Sequence, residues 1–202
     1  MHFVSGEDEE SVLQGFPITG GSGTIRKEPN GTVWREGGGI FIRGSSPTIK
    51  NNLIMNNKVL SRINVRSTGG GGISCNDGNP KILNNIIMLN QARYEAGIML
   101  YRSGVILKNN IICQNSGGQI YIHHDHTTAD FTYNNIEGEW DGKGNMHLNP
   151  EFTKSYFLLS DNSPCIDAGD ANPGFYDPLQ PPQNSFAEPP GKGTKRDDHL
   201  SK

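Results

Sequence analysis

The chain has 202 residues, of which 33% are hydrophobic and 19% charged, and it contains 26 Gly, 12 Pro, 21 Asn and 19 Ile. Gly and Pro in every candidate segment exclude a long helical bundle, and the lack of any run of ~18 apolar residues excludes a transmembrane helix. A net charge of -3 gives no basic surface for nucleic acid.

The first residues, MHFVSGEDEE, are acidic and lack the apolar segment of a signal peptide. We predict that residues 1–11 form an N-terminal lead-in. A cytosolic protein is the simplest interpretation. The alternative is a fragment of a secreted protein, and the repeat described next favours it. We therefore expect an extracellular or cell-surface location, with no membrane insertion.

A repeat runs through the middle of the chain. Three segments align without gaps, at 39–57, 72–90 and 97–115, and a looser copy and a partial copy lie at 118–138 and 12–21. Within each copy, short apolar runs alternate with period two between Gly, Asn, Ser and Pro turns, as β-strands do. One such unit cannot bury its own apolar face, whereas units stacked at ~4.8 Å can. We expect Ile40, Ile73, Ile98 and Ile120 to form one buried column.

Pairs of asparagines recur at one position of this repeat, at 51–52, 84–85, 109–110 and 134–135. Identical amides stacked in register can donate to one neighbour and accept from the other. We predict a hydrogen-bonded ladder formed by the second residue of each pair: Asn52, Asn85, Asn110 and Asn135.

The repeat over residues 12–140 resembles the right-handed parallel β-helix, or pectate-lyase-like, family. This resemblance implies an all-β fold, a single-stranded right-handed parallel β-helix of about five coils. The sequence after the repeat, with Trp140, Asn149, Pro150, Phe152 and the SPCIDAGD motif at 163–170, resembles the ending of extracellular bacterial β-helix proteins. We predict an irregular C-terminal cap at 141–170 and a Pro-rich irregular tail at 171–202. The apolar residues expected to cover the last coil are Phe152, Tyr156, Phe157, Leu158, Leu159 and Ile166.

Insertions at 21–36, 58–71 and 91–96 follow the same position of the unit, so they should emerge on one edge and stack as a wall. Loops on a rigid scaffold often carry binding residues. In enzymes of the pectate-lyase-like family, which this sequence resembles, the active groove lies on the outer face of one sheet beside such loops. We place Phe41, Ser74, Met99 and Tyr121 in one outward column, and Arg43, Asn76, Tyr101 and His123 in the next. The predicted ligand-binding residues are Trp34, Phe41, Arg43, Asn76, Tyr101 and Tyr121.

A second hypothesis is that the surface formed by these outward columns is catalytic. The candidate catalytic residues are Asp77, Arg102, His123 and Asp125. Arg102 would neutralise charge or act as the base in a polysaccharide lyase, and Asp77 with Asp125 would be the carboxyl pair of a hydrolase. Lyases of this type also use Ca²⁺ held by several carboxylates, a cluster that the coils lack. We therefore predict no metal site and no cofactor, with Ca²⁺ as the alternative. The plain alternative for Asp77 and Arg102 is a stacked surface ion pair.

Three function hypotheses follow from these observations. The first is a secreted or surface module that binds a polysaccharide or a surface partner without catalysis. The second is a lyase or hydrolase acting on an acidic polysaccharide, and the third is a structural spacer. Three cysteines, Cys75, Cys113 and Cys165, show no paired spacing, and we expect Cys75 to be an apolar filler in an inward column.

Overall fold

A computed structural model describes residues 1–60, 66–93, 96–123, 126–154 and 158–170, with only the backbone described for 66–68. The predicted tail at 171–202 lies outside these residues. Every regular element in the described part is a β-strand. The strands are β1 (His2–Phe3), β2 (Val12–Gln14), β3 (Pro17–Ile18), β4 (Thr24–Lys27), β5 (Val33–Glu36), β6 (Ile40–Arg43), β7 (Thr48–Lys50), β8 (Leu53–Met55), β9 (Arg66–Gly69), β10 (Ile73–Asn76), β11 (Lys81–Leu83), β12 (Ile86–Met88), β13 (Ile98–Tyr101), β14 (Gly104–Lys108), β15 (Ile111–Cys113), β16 (Ile120–Ile122), β17 (Thr128–Thr132) and β18 (Asn135–Ile136).

These strands form three five-stranded parallel sheets that run the length of a solenoid. Sheet A has the order β1-β6-β10-β13-β16, sheet B β17-β14-β11-β7-β2, and sheet C β18-β15-β12-β8-β3. Each coil contributes one strand to each sheet, so the chain winds through five coils, which confirms the predicted parallel β-helix. The first coil begins inside the predicted lead-in, because β1 pairs with β6 through His2 and Phe41.

The core consists of side chains stacked coil over coil inside the solenoid. Ile73 is in register with Ile40 and with Ile98, and Ile98 is in register with Ile120. None of the four is more than 5% exposed, so the predicted column is confirmed. Cys75 is fully buried in the neighbouring inward column. Each fully buried Ile contributes about 1.5–3 kcal/mol through the apolar surface that it removes from water.

An asparagine ladder follows the corner between sheets B and C. Asn52 donates to the side-chain oxygen of Asn85, and Asn85 donates in the same way to Asn110. Three predicted members are thus confirmed, but the fourth is wrong. Asn110 donates to Asn134, while Asn135 lies in β18, in register with Ile111.

The shift to Asn134 has a cause in the turn. The residue before each ladder asparagine adopts the left-handed conformation, with φ of 55° at Asn51, 54° at Asn84 and 56° at Asn109. Asn tolerates this conformation better than most residues do, which explains the recurring pairs. In the fifth coil Tyr133 occupies the left-handed position, with φ of 56°, so the next residue, Asn134, completes the ladder.

A second asparagine ladder, which was not predicted from the sequence, follows the corner after sheet C. Asn57 donates to the side-chain oxygen of Asn90, Asn90 donates to that of Asn115, and Asn115 donates to Gln119. The signal was present in the alignment, since Asn57, Asn90 and Asn115 are the last residues of the three gapless segments.

The insertions build a small sheet on the edge of the solenoid. Strands β4 and β5 form an antiparallel hairpin, and β9 adds to β5 in parallel. We call these three strands the insertion sheet. Gln91, from the third insertion, forms parallel bridges with Lys58 and with Ser116. The insertions therefore stack from coil to coil, as their common position in the repeat predicts.

The cap closes the last coil with fewer apolar contacts than the sequence predicted. Asn145 accepts hydrogen bonds from the backbone and side chain of Asn134 and so ends the first ladder. Trp140 packs against the core, with its ring 5.5 Å from that of Phe131. Leu158 is 63% exposed and Ile166 is 45% exposed, so the prediction that they cover the last coil is wrong. Tyr156 and Phe157 lie outside the described residues. Asn145, at the end of the first asparagine ladder, and Trp140 cover the last coil instead.

Candidate functional site

Half of the predicted outward strip on sheet A is covered by protein. Phe41, Ser74, Asn76 and Met99 are each at most 5% exposed, so the expectation that these residues face solvent is wrong. The side-chain amide of Asn76 donates to Glu36, the last residue of β5, at 3.0 Å. The insertion sheet therefore reaches over the outer face of sheet A.

Glycines let the chain approach this face closely. A Cβ added at Gly37 would lie 2.8 Å from Cβ of Phe41, and one at Gly70 would lie 2.9 Å from Cβ of Ser74. Real Cβ atoms are not found this close, so a side chain at either position would force the two layers apart. The Gly-rich stretches before β6 and β10 were the sequence signal for this cover, because Gly marks close backbone approach.

A buried charge holds the insertion sheet in place. Glu36 is 2% exposed and accepts hydrogen bonds from Arg26 at 3.3 and 3.4 Å as well as from Asn76. Arg26 also pairs with Glu28. A carboxylate in this setting is stabilised only while these donors are present, since an unpaired buried charge is costly.

The outer face of sheet A stays open at the fourth and fifth coils. Tyr101, Tyr121 and His123 lie side by side there, and we call them the Tyr–His cluster. The His123 ring lies 4.8 Å from that of Tyr101 and 6.3 Å from that of Tyr121, both edge to face. Tyr121 is 39% exposed, and Tyr101 and His123 are half-buried. Two of the predicted aromatic binding residues, Tyr101 and Tyr121, thus lie together on this face.

An ion pair lies at the end of the strands that carry this surface. Nε of Arg102 is 3.2 Å from a carboxylate oxygen of Asp77, with the two side chains 55% and 43% exposed. Both residues are left-handed, with φ of 49° and 55°, which turns the chain from sheet A towards sheet B. The predicted stacked pair is confirmed, and its exposure limits its contribution to stability to about 1 kcal/mol or less.

The other predicted site residues are separated from the cluster or not described. Arg43 is exposed on the second coil, two strands away from Tyr101. Trp34 is half-buried in β5 and belongs to the insertion sheet, whose strand β9 approaches β13. Asp125 lies outside the described residues, so the predicted hydrolase pair of Asp77 and Asp125 remains a prediction.

The described residues bring no three His, Cys, Asp or Glu side chains together in a way that could hold a metal ion. That part of the chain also has no helix that could span a bilayer. The described residues present at this site the rings of Tyr101, Tyr121 and His123 and the charges of Arg102 and Asp77.

Three stacked parallel sheets joined by tight turns, with a loop-built sheet over one outer face, define a parallel β-helix. A family model described as a right-handed β-helix region matches residues 13–153, more than two thirds of the chain, and the protein belongs to this family. Searches of curated proteins and of solved structures find no match.

Proposed function

We propose that this protein is a β-helix module that binds a polysaccharide on the open part of sheet A without catalysing a reaction. The observation that carries the proposal is the Tyr–His cluster, which leaves aromatic surface accessible beside the part of sheet A that the insertion sheet covers. Binding sites combine apolar and aromatic surface with a few placed polar groups. Arg102 and Asp77, at the ends of the adjoining strands, supply such groups.

The location of the ligand follows from this proposal. Structural polysaccharides lie mostly outside cells, so the module would be secreted or displayed on the cell surface. Its rigid scaffold suits a polymer, because successive coils present the same strand positions at ~4.8 Å intervals. A surface protein partner is the other ligand class that this face would fit.

Catalysis on an acidic polysaccharide is a second candidate, since Arg102 provides the cation that a lyase needs near a developing negative charge. Against it stands the ion pair with Asp77, which occupies Nε of Arg102 at 3.2 Å. Non-catalytic binding requires only the exposed rings and therefore fits the geometry better.

A glycan array followed by affinity measurement on the bound polymer tests the proposal. Tyr121→Ala should weaken binding by about tenfold, because a buried aromatic contact at an interface contributes ~1–2 kcal/mol. The matched control is Phe16→Ala, which removes an aromatic ring that is 55% exposed on the first coil and should leave affinity within twofold. Equal losses in the two variants, or no binding to any polymer, would reject this site. A uronate-cleavage absorbance assay on the same polymer tests the enzyme alternative, and product formation that is lost in Arg102→Ala would replace the binding proposal.

A further inference from the structure

The C-terminal segment 158–170, which we call the strap, contacts the start of sheet C in the fifth coil and the corner between sheets B and C in the fourth coil. The side-chain amide of Asn135, on the fifth coil, is 3.0 Å from Sγ of Cys165. The backbone N–H of Asp170 donates at 2.9 Å to the side-chain oxygen of Asn109, on the fourth coil. The carboxylate of Asp170 pairs with Lys108 at 2.5 Å. The strap therefore runs back from the fifth coil to the fourth.

Cys113 lies on the outer face of sheet C, the face that also carries Asn135. It ends β15, and its neighbour Ile112 points into the core, so the Cys113 side chain points outward. It is nevertheless only 5% exposed. Asn135, which contacts Cys165, is in register with Ile111, two residues before Cys113 on the same face. Strand spacing and rise place the Cα atoms of Asn135 and Cys113 roughly 8 Å apart, so the two cysteines occupy one small region.

The environment of the two thiols agrees with this placement. Burial raises the pKa of Cys113 to about 12, and the charges of Glu137 and of the Cys165 sulfur act in the same direction. Burial also raises the pKa of Cys165. Both groups are thus protonated thiols in the folded protein at neutral pH. Exchange with an oxidant needs a thiolate, so it takes place in the refolding chain before these thiols are buried. Cys75 lies in the inward column of sheet A, with no access to the strap.

We propose that Cys113 and Cys165 are an oxidation site, at which a disulfide forms and ties the strap to the fourth coil. The three cysteines are free thiols in the structure. The oxidant is a disulfide, such as that of a thiol–disulfide oxidoreductase or of oxidised glutathione. The two cysteine thiols give up two protons and two electrons, one S–S bond forms, and the S–S bond of the oxidant is reduced to two thiols.

Closing this bond needs Cα atoms within ~4.4–6.8 Å of each other, so the strap must be able to adjust. None of its residues belongs to the three large sheets. The N–H groups of Ser163 and Ile166 bond to carbonyls within the strap, at Ser160 and Ser163. Residues 158–160 are held to 151–153 by the hydrogen bonds of the Thr153 and Ser160 N–H groups and by the bridge of Phe152 with Leu159. The adjustment therefore falls to residues 161–170, whose movement breaks no hydrogen bond of the three large sheets.

Refolding the full chain in a buffer of reduced and oxidised glutathione tests the proposal. The three cysteines fall in three tryptic peptides, 67–81, 109–143 and 155–192, so mass spectrometry identifies any link directly. The expected result is a link between the second and third peptides, and one free thiol per chain in denaturant. The melting temperature should fall by ~8–16 °C on reduction, since the closed loop is long.

Two variants separate this disulfide from other oxidation. Cys75→Ala should keep the link and leave no free thiol. Cys165→Ser should lose the link and show a melting temperature that does not change on reduction. Three free thiols after oxidative refolding would overturn the proposal, as would a link that involves Cys75 or joins two chains.

Discussion

The side-chain oxygen of Asn110 accepts two hydrogen bonds from Asn85, one from the backbone N–H at 2.9 Å and one from the side-chain amide at 3.1 Å. Asn110 in turn donates to the carbonyl of Ile82 and to Asn134. Both asparagines are about 1% exposed, so each rung satisfies polar groups that water cannot reach. Removing one rung therefore affects two coils.

Asn110→Ala should lower the free energy of unfolding by about 3 kcal/mol, because it leaves the buried backbone N–H of Asn85 without its acceptor and the carbonyl of Ile82 without its side-chain donor. Urea denaturation measures the change. The control is Asn51→Gly, at the left-handed position before the ladder, where φ is 55° and Gly fits without strain. This variant should change stability by less than about 0.5 kcal/mol. Similar losses in the two variants would mean that the ladder adds nothing specific.

Ile98→Ala should cost about 2–5 kcal/mol, because it opens a cavity in the middle of the buried column, where no neighbour can collapse without leaving its own coil. Ile25→Ala makes the same chemical change at a side chain that is 58% exposed and should be nearly neutral. The measurement is the denaturation midpoint at constant m value. A loss below 1 kcal/mol at Ile98 would contradict the packing described here.

Glu36→Ala should loosen the insertion sheet, because it leaves Asn76 without its partner and removes one of the two carboxylates at Arg26. Amide hydrogen exchange in residues 24–36 should speed up by about tenfold or more, while exchange in β13 to β15 stays slow. Glu28→Ala is the matched control, since Glu28 also pairs with Arg26 but is 31% exposed. Unchanged exchange in Glu36→Ala would show that other contacts hold the sheet.

Stability should fall at alkaline pH under reducing conditions. Burial raises the pKa of Cys75 to about 11, above its value in the unfolded chain, so the native state retains a proton that the unfolded state releases. The stabilisation is complete below pH ~8.5 and is lost as pH rises towards 11. Between pH 7 and pH 10 the wild type should lose about 2 kcal/mol more than Cys75→Ala. Parallel pH profiles for the two proteins would show that Cys75 is not held as a buried thiol.

The repeat could be predicted from the sequence because its signal is local and periodic. Ile40, Ile73, Ile98 and Ile120 recur at the same position of successive coils, and a stack of coils is the one arrangement that buries all four. Asn52, Asn85 and Asn110 follow from the same periodicity. The prediction of Asn135 was wrong because it relied on the pair of asparagines, while the left-handed turn had moved to Tyr133.

The candidate site was predicted only in part. Tyr101, Tyr121 and the pair of Asp77 and Arg102 belong to the strands and turns of the repeat, so their stacking follows from its register. The period-two pattern could not show that Phe41 and Asn76 are covered. An outward side chain has the same pattern whether it meets water or another layer.

Sequence periodicity by itself determined the winding of the chain, the identity of the core and most of one asparagine ladder, because each depends on contacts between equivalent positions of neighbouring coils. The tertiary structure decided which part of sheet A is open, and it brought the strap and Cys165 onto the face of Cys113. Those arrangements depend on where non-repeating segments fold back, and no regular spacing in the sequence encodes contacts between a repeat and a segment outside it.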